Sequence, residues 1–271
     1  MIKSIKMISD SIISTWSEEY TKKSYPFMED ISDLIDEFKV VATKVTEDRS
    51  TKVKTIIFYT LNNVHRLLVE IRNGVIIGQR ISLNSLNRSI VENYIILNFI
   101  QKYGEDAADL YIANSEIAFQ KLVKKVNNGL SKEEIGKIDE IIIKTKQAHK
   151  KVKFNNGYMW ANSFLETDRN HKPSIFDIAN NLGINDDYDR LSLFHQQSHS
   201  SSGLAHLMNI TEHDNLLIYT SKIINSVVYM SKTLDCVCDE PILNKYNDIH
   251  NKVITKYDEL VITINNTQRK N

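Results

Sequence analysis

Proline and glycine are scarce in this chain of 271 residues: three prolines, at positions 26, 173 and 241, and eight glycines. Few positions are thereby committed to turns. The long intervals between them are rich in Ile, Leu, Lys, Glu and Asn, which favours long helices. Cysteine is scarcer still, with Cys236 and Cys238 alone. Two thiols cannot build a disulfide framework, and a single C-x-C lacks the second pair that a zinc site requires. They read as reduced thiols of a cytoplasmic protein. An excess of either charge is also missing, since 34 Lys and Arg balance 34 Asp and Glu. No whole-molecule field draws in nucleic acid or anionic lipid, so any such binding is local. No apolar run reaches the length of a membrane span, and Ser9, Asp10 and Ser11 interrupt the one stretch near the N-terminus that a signal peptide would need. The expectation is a soluble protein without a membrane segment, resident metal or cofactor.

What is present is a core-forming composition, 42% hydrophobic and 25% charged. Helical spacing of apolar residues recurs along the chain. Ile5, Ile8, Ile12, Trp16 and Tyr20 mark one helix over 4–21, and Phe27, Ile31, Leu34, Ile35, Phe38 and Val41 mark another over 26–44. A third stripe runs from Val53 to Ile71, with Asn73-Gly74 as its stop signal. Helices are expected over 82–103 and 105–126, separated by Gly104, and then from the capping box Ser131-Lys-Glu-Glu134 onward. A short helix after Ser174 closes at Gly183, a further helix is capped by Asn185 or Asp186, and two helices, about 212–234 and 241–263, complete the chain. The predicted fold is all-α: a single bundle of long antiparallel helices over 49–271, extended by an N-terminal helical hairpin over 1–48.

Chemistry concentrates between Tyr188 and Gly203. Arg190 and His195 form an R-x4-H pattern, and His199 follows one helical turn after His195. A guanidinium holds phosphate through two parallel hydrogen bonds, and imidazole moves protons near neutral pH, so the pair fits metal-independent RNA cleavage. His195, His199, Gly203 and His206 approach a zinc-protease spacing. However, Gln196 stands where that chemistry needs a glutamate base, and the last two residues are each displaced by one. His195, His199, His206 and His213 would otherwise form a polar seam. Arg88 and Glu92 lie four apart on the predicted helix 82–103, where an ion pair among apolar neighbours would satisfy itself or serve a ligand. Lys144 to Lys153 is a basic run and reads as a solvated helix face.

Several of these segments together resemble a bacterial family, the one catalogued as domain of unknown function 5677. They are Asn87-Arg88-Ser89-Ile90-Val91-Glu92, the Trp160 region, Ser174 to Ala179, and Tyr188-x-x-Leu191-Ser192 followed by histidine and serines. The resemblance spans roughly residues 50 to 210. It implies a helical fold and a site formed by Arg88, Glu92, Tyr188, Ser192 and a histidine, either His195 or His199. Such helical families are in turn similar to the HEPN superfamily, whose active members are metal-independent RNases of toxin and antiphage modules. The implied function is an endoribonuclease effector, with Arg190 or Arg88 on the phosphate and His195 or His199 as proton carrier, while Tyr188, Ser192 and Glu92 orient them. The implied partners are RNA and a second copy of the chain in a homodimer. The competing expectation is a non-enzymatic helical module that senses a ligand or binds a partner protein.

Overall fold

The computed structural model describes residues 18–76, 81–127, 129–150, 152, 154, 157–165, 172–189, 212–238 and 240–268, and among them all regular structure is helical. Helix α1 is Glu18–Val45, α2 Lys52–Ile76, α3 Ile81–Val126, α4 Lys132–Ala148, α5 Ile175–Leu182, α6 Glu212–Asp235 and α7 Glu240–Gln268. A short 3-10 turn covers Met159–Ala161, and residues 185–189 form a further helical run. No helix among the described residues is long and apolar enough to cross a membrane.

The apolar periodicity maps onto burial. On α1, Ile31, Leu34, Ile35, Phe38 and Val41 are all buried, as are Ile56, Ile57, Leu61, Val64, Leu67, Leu68 and Ile71 on α2. Each such side chain contributes about 1.5–3 kcal/mol when fully removed from water. Two expected helix ends are corrected. Helix α1 passes through Pro26, so residues 22–25, expected as a turn, are helical. The proline removes one backbone hydrogen bond but leaves the flanking ladder intact. Helix α2 continues past Asn73-Gly74 to Ile76. Gly74 is buried and its φ stays out of the left-handed region, so a glycine cost of about 1 kcal/mol is outweighed by packing.

Gly104 acts as expected. It breaks α3 with φ 68° and ψ −147°, a conformation that residues with a side chain rarely adopt. The turn serves a purpose one residue later. Glu105 accepts hydrogen bonds from the backbone N–H groups of Lys52 at 3.0 Å and Val53 at 3.1 Å. The carboxylate thereby caps the N-terminus of α2, where orphan donors and the helix dipole favour an anion. The predicted capping box of Ser131 with Glu134 is present on α4, and a second one that the sequence reading did not name, Ser174 with Asp177, opens α5. Gly183, at φ 73°, closes α5.

The described residues fall into two compact units. The first draws on Met1–Asp48, Ile57–Tyr94 and Asp189–Asn271, the second on Arg49–Ile56 and Ile95–Tyr188. In the first, α7 packs along α1 and α6. Buried Asp30 of α1 takes Lys252 at 2.6 Å and also Lys256, and Glu37 takes Lys245. In the second unit the buried Phe99 ring meets Trp160 edge-on at 5.5 Å, and the Tyr111 ring meets Trp160 edge-on at 5.1 Å.

Candidate functional site

The first unit places a polar row inside a core helix. Leu83, Ile90, Val91, Tyr94 and Ile95 bury the greater part of the first half of α3. Asn84, Arg88 and Glu92 recur every four residues along it, on one face of the helix. Asn84 and its neighbour Asn87 are buried. Asn87 donates from Nδ2 to the Leu83 carbonyl at 3.0 Å and accepts at Oδ1 from the hydroxyl of buried Ser226 on α6, at 2.7 Å. Arg88 and Glu92 are half-buried, and the Arg88 Nε is shielded from solvent. A guanidinium in such surroundings is little screened by water, and its attraction for an anion is correspondingly stronger than at an exposed surface. Beside this row, the rings of Tyr94 and Tyr229 lie 5.7 Å apart and share the Lys232 ammonium, 5.5 and 5.1 Å from their centroids.

Tyr188 belongs to the second unit. It is half-buried at the end of the 185–189 helical run, with its ring edge-on to Phe176 of α5 at 4.9 Å. The preceding Asp187 is buried. Helix α5 is fixed by its two caps and by Asn181, whose side-chain oxygen accepts from the Tyr103 hydroxyl at 2.7 Å and from the Lys102 ammonium at 3.2 Å. The Trp160 and Ser174 to Ala179 segments are thus packing elements of this unit, with Trp160, Ile175, Ile178 and Ala179 all buried.

Of the site residues read from the sequence, Arg88 and Glu92 share one face of α3 on successive turns. Arg190, Ser192, His195 and His199 lie outside the described residues, as does His206. Among the described residues no three His, Cys, Asp or Glu side chains converge as a metal cluster. Within the basic run, Lys144 pairs with Glu140 at 2.6 Å on an exposed face, and His149 Nε2 lies 3.4 Å from Asp109. Sequence reasoning gave Asn87 no role beyond its place in the family motif, and missed Asn84 and Ser226. The available signal was Asn84 and Asn87 preceding Arg88 on a stripe that is otherwise apolar, while Ser226 lies 139 positions away and gave none.

The pattern of a family of unknown function, DUF5677, matches residues 54–216 of the chain. No curated protein and no solved structure matches it.

Proposed function

Because the chain belongs to DUF5677, a family of unknown function, its activity is read from its own residues, and we propose a metal-independent endoribonuclease effector of a bacterial antiphage or toxin module, acting as a homodimer. Arg88 or Arg190 holds the scissile phosphate. In such cleavage the substrate's 2′-hydroxyl attacks the adjacent phosphorus, the P–O5′ bond breaks, and a 2′,3′-cyclic phosphate and a 5′-hydroxyl result. The protein then needs only charge stabilisation at the phosphate and proton transfer to and from oxygen. His195 or His199 carries the proton, and Glu92 fixes the Arg88 side chain one turn away.

The observation that carries this reading is the half-buried Arg88, its Nε shielded, in a polar row running along a core helix. A cation kept there at a desolvation cost has a reason to remain if it binds an anion. The test is cleavage of total bacterial RNA and tRNA by the purified protein in EDTA, beside Arg88→Gln, Arg190→Ala, His195→Ala and His199→Ala. Far-UV circular dichroism and thermal melts check that each variant is folded. A loss of rate of about a hundredfold or more in folded variants supports the assignment. Wild-type protein that leaves every RNA intact removes it.

A second reading, a non-enzymatic helical sensor or protein-interaction module, is favoured by two observations. The formal charge is zero, and Phe119, Leu122 and Val126 are exposed on the second half of α3. These three lie on one helical face, the arrangement by which a partner's apolar surface is bound.

A further inference from the structure

Three helical segments of the second unit meet at one carboxylate. Asp109 of α3 holds the ammonium of Lys52, the first residue of α2, on Oδ1, and His149, which closes α4, brings its Nε2 to 3.4 Å from Oδ2. The ring of buried Phe154 meets the imidazole edge-on at 5.8 Å and gives it a second contact. A carboxylate only accepts hydrogen bonds, so in the neutral imidazole the proton sits on Nε2 and the lone pair on Nδ1. Among the described residues Nδ1 has no hydrogen-bond partner, and the side chain is 18% exposed, enough for a small molecule to reach it. Lys146, one turn before, and Lys150, the next residue, are exposed and have no carboxylate partner among the described residues, unlike Lys144.

We infer that His149 is a phosphoryl acceptor, which takes the phosphoryl group of a phosphoramidate on Nδ1. A nitrogen nucleophile whose ring is oriented by a third group is the general arrangement for covalent transfer. The unpaired lysines on either side in sequence select a phosphoryl donor, because an ammonium group binds phosphate oxygens as a point charge. In the step itself Nδ1 attacks phosphorus, the P–Nδ1 bond forms as the donor's P–N bond breaks, and the donor nitrogen, already protonated, leaves as a neutral amine. One P–N bond replaces another, so no further reactant enters. The ring keeps its Nε2 proton and becomes an N-phosphoryl imidazolium. Its positive charge is stabilised by the Asp109 carboxylate and by the C-terminal end of α4, where the helix dipole favours a cation. The site uses none of the groups assigned to RNA cleavage and stands or falls separately from that reading.

The experiment is incubation of the full chain with potassium phosphoramidate, digestion at alkaline pH because phosphohistidine is acid-labile, and mapping of the phosphate by tandem mass spectrometry. His149 is expected to gain phosphate about tenfold faster than any other of the eight histidines. Chromatography of an alkaline hydrolysate should show the Nδ1-phosphoryl isomer, since Nε2 faces Asp109. Asp109→Asn keeps the shape of the side chain and removes its charge, and it should slow the labelling of His149 about tenfold. Lys146→Gln combined with Lys150→Gln should slow it as well, without changing the isomer. Labelling of His149 no faster than that of the other histidines would overturn the assignment, as would an Nε2-phosphoryl product or an unchanged rate in Asp109→Asn. The distribution among histidines and the isomer are both read on the wild-type chain, so the test stays decisive should Asp109→Asn fail to fold.

Discussion

Ser226 of α6 donates a 2.7 Å hydrogen bond to the side-chain oxygen of Asn87 on α3, and both side chains are buried. Asn87 immediately precedes Arg88, so this bond ties the arginine's turn of helix to α6. Ser226→Ala leaves the Asn87 oxygen buried with its donor removed, at an expected cost of about 1–3 kcal/mol. At about 2–4 °C per kcal/mol for a chain of this size, the melting temperature falls by several degrees. Thermal unfolding followed by circular dichroism measures it. Asn87→Leu combined with Ser226→Ala should lose less than the two single losses added together, because no unpaired polar atom remains.

Glu105 gives a pH-dependent prediction. Hydrogen bonds from the Val53 backbone, the Thr51 side chain and the Lys52 backbone, together with the Lys52 charge, hold its carboxyl below the usual range against a smaller opposing effect of desolvation. A depressed carboxylate stabilises the fold fully above its unfolded value, and that contribution is lost as the pH falls through the folded one. Glu105→Gln should therefore melt below wild type at pH 7, and the gap should close on acidification below about pH 4. A gap unchanged between pH 7 and pH 3 would show that the carboxylate does not act as the cap of α2.

Asp30 tests the seam between α1 and α7. Burial opposes its ionisation, and the hydrogen bonds and charges of Lys252 and Lys256 outweigh burial, leaving the carboxyl below its usual range. Asp30→Asn keeps the shape and removes the charge. Lys252 is more than half exposed and Lys256 about a third, so both ammonium groups can return to water. The loss is then nearer about 1–2 kcal/mol than the larger figure for stranding a buried ion. Chemical denaturation of Asp30→Asn beside wild type reads this directly. Added salt should narrow the difference only slightly, since the carboxylate itself is buried.

The helices were legible because their signals are local. Periodicity found the core faces of α1 and α2, and the capping box at Ser131 and the glycines at 104 and 183 fixed ends within a residue or two. Two ends misled where packing overrode a local stop, at Pro26 and Gly74. The division into two compact units was not legible, because α2 and α3 each give residues to both and no linker composition marks the boundary. Arg88 and Glu92 were visible as charges on an apolar helix. The partnership of Asn87 with Ser226 depends on which helices pack together, which no window of one helix contains.

His250 carries the last prediction. Its ring stacks on fully buried Tyr246 at 6.1 Å, and its Nε2 is buried with no hydrogen-bond partner among the described residues. Burial lowers its proton affinity, and the Asn251 hydrogen bond and the Asp235 charge, which favour the imidazolium, only partly restore it. The folded protein then binds fewer protons than the unfolded chain between the folded value and the ordinary one, near 6.5. Stability rises with pH across that window and is lost as the ring is forced to charge in acid. Asp235, whose carboxyl burial raises against the opposing charge of His250, contributes the opposite slope in the carboxylate range. The melting temperature of wild type should thus fall between pH 7.5 and pH 5.5, and His250→Phe, which can keep the stack on Tyr246, should fall less. Some slope should persist in the variant, because His65 is lowered in the same direction. Parallel curves for wild type and His250→Phe over that range would mean that His250 is not the titrating group.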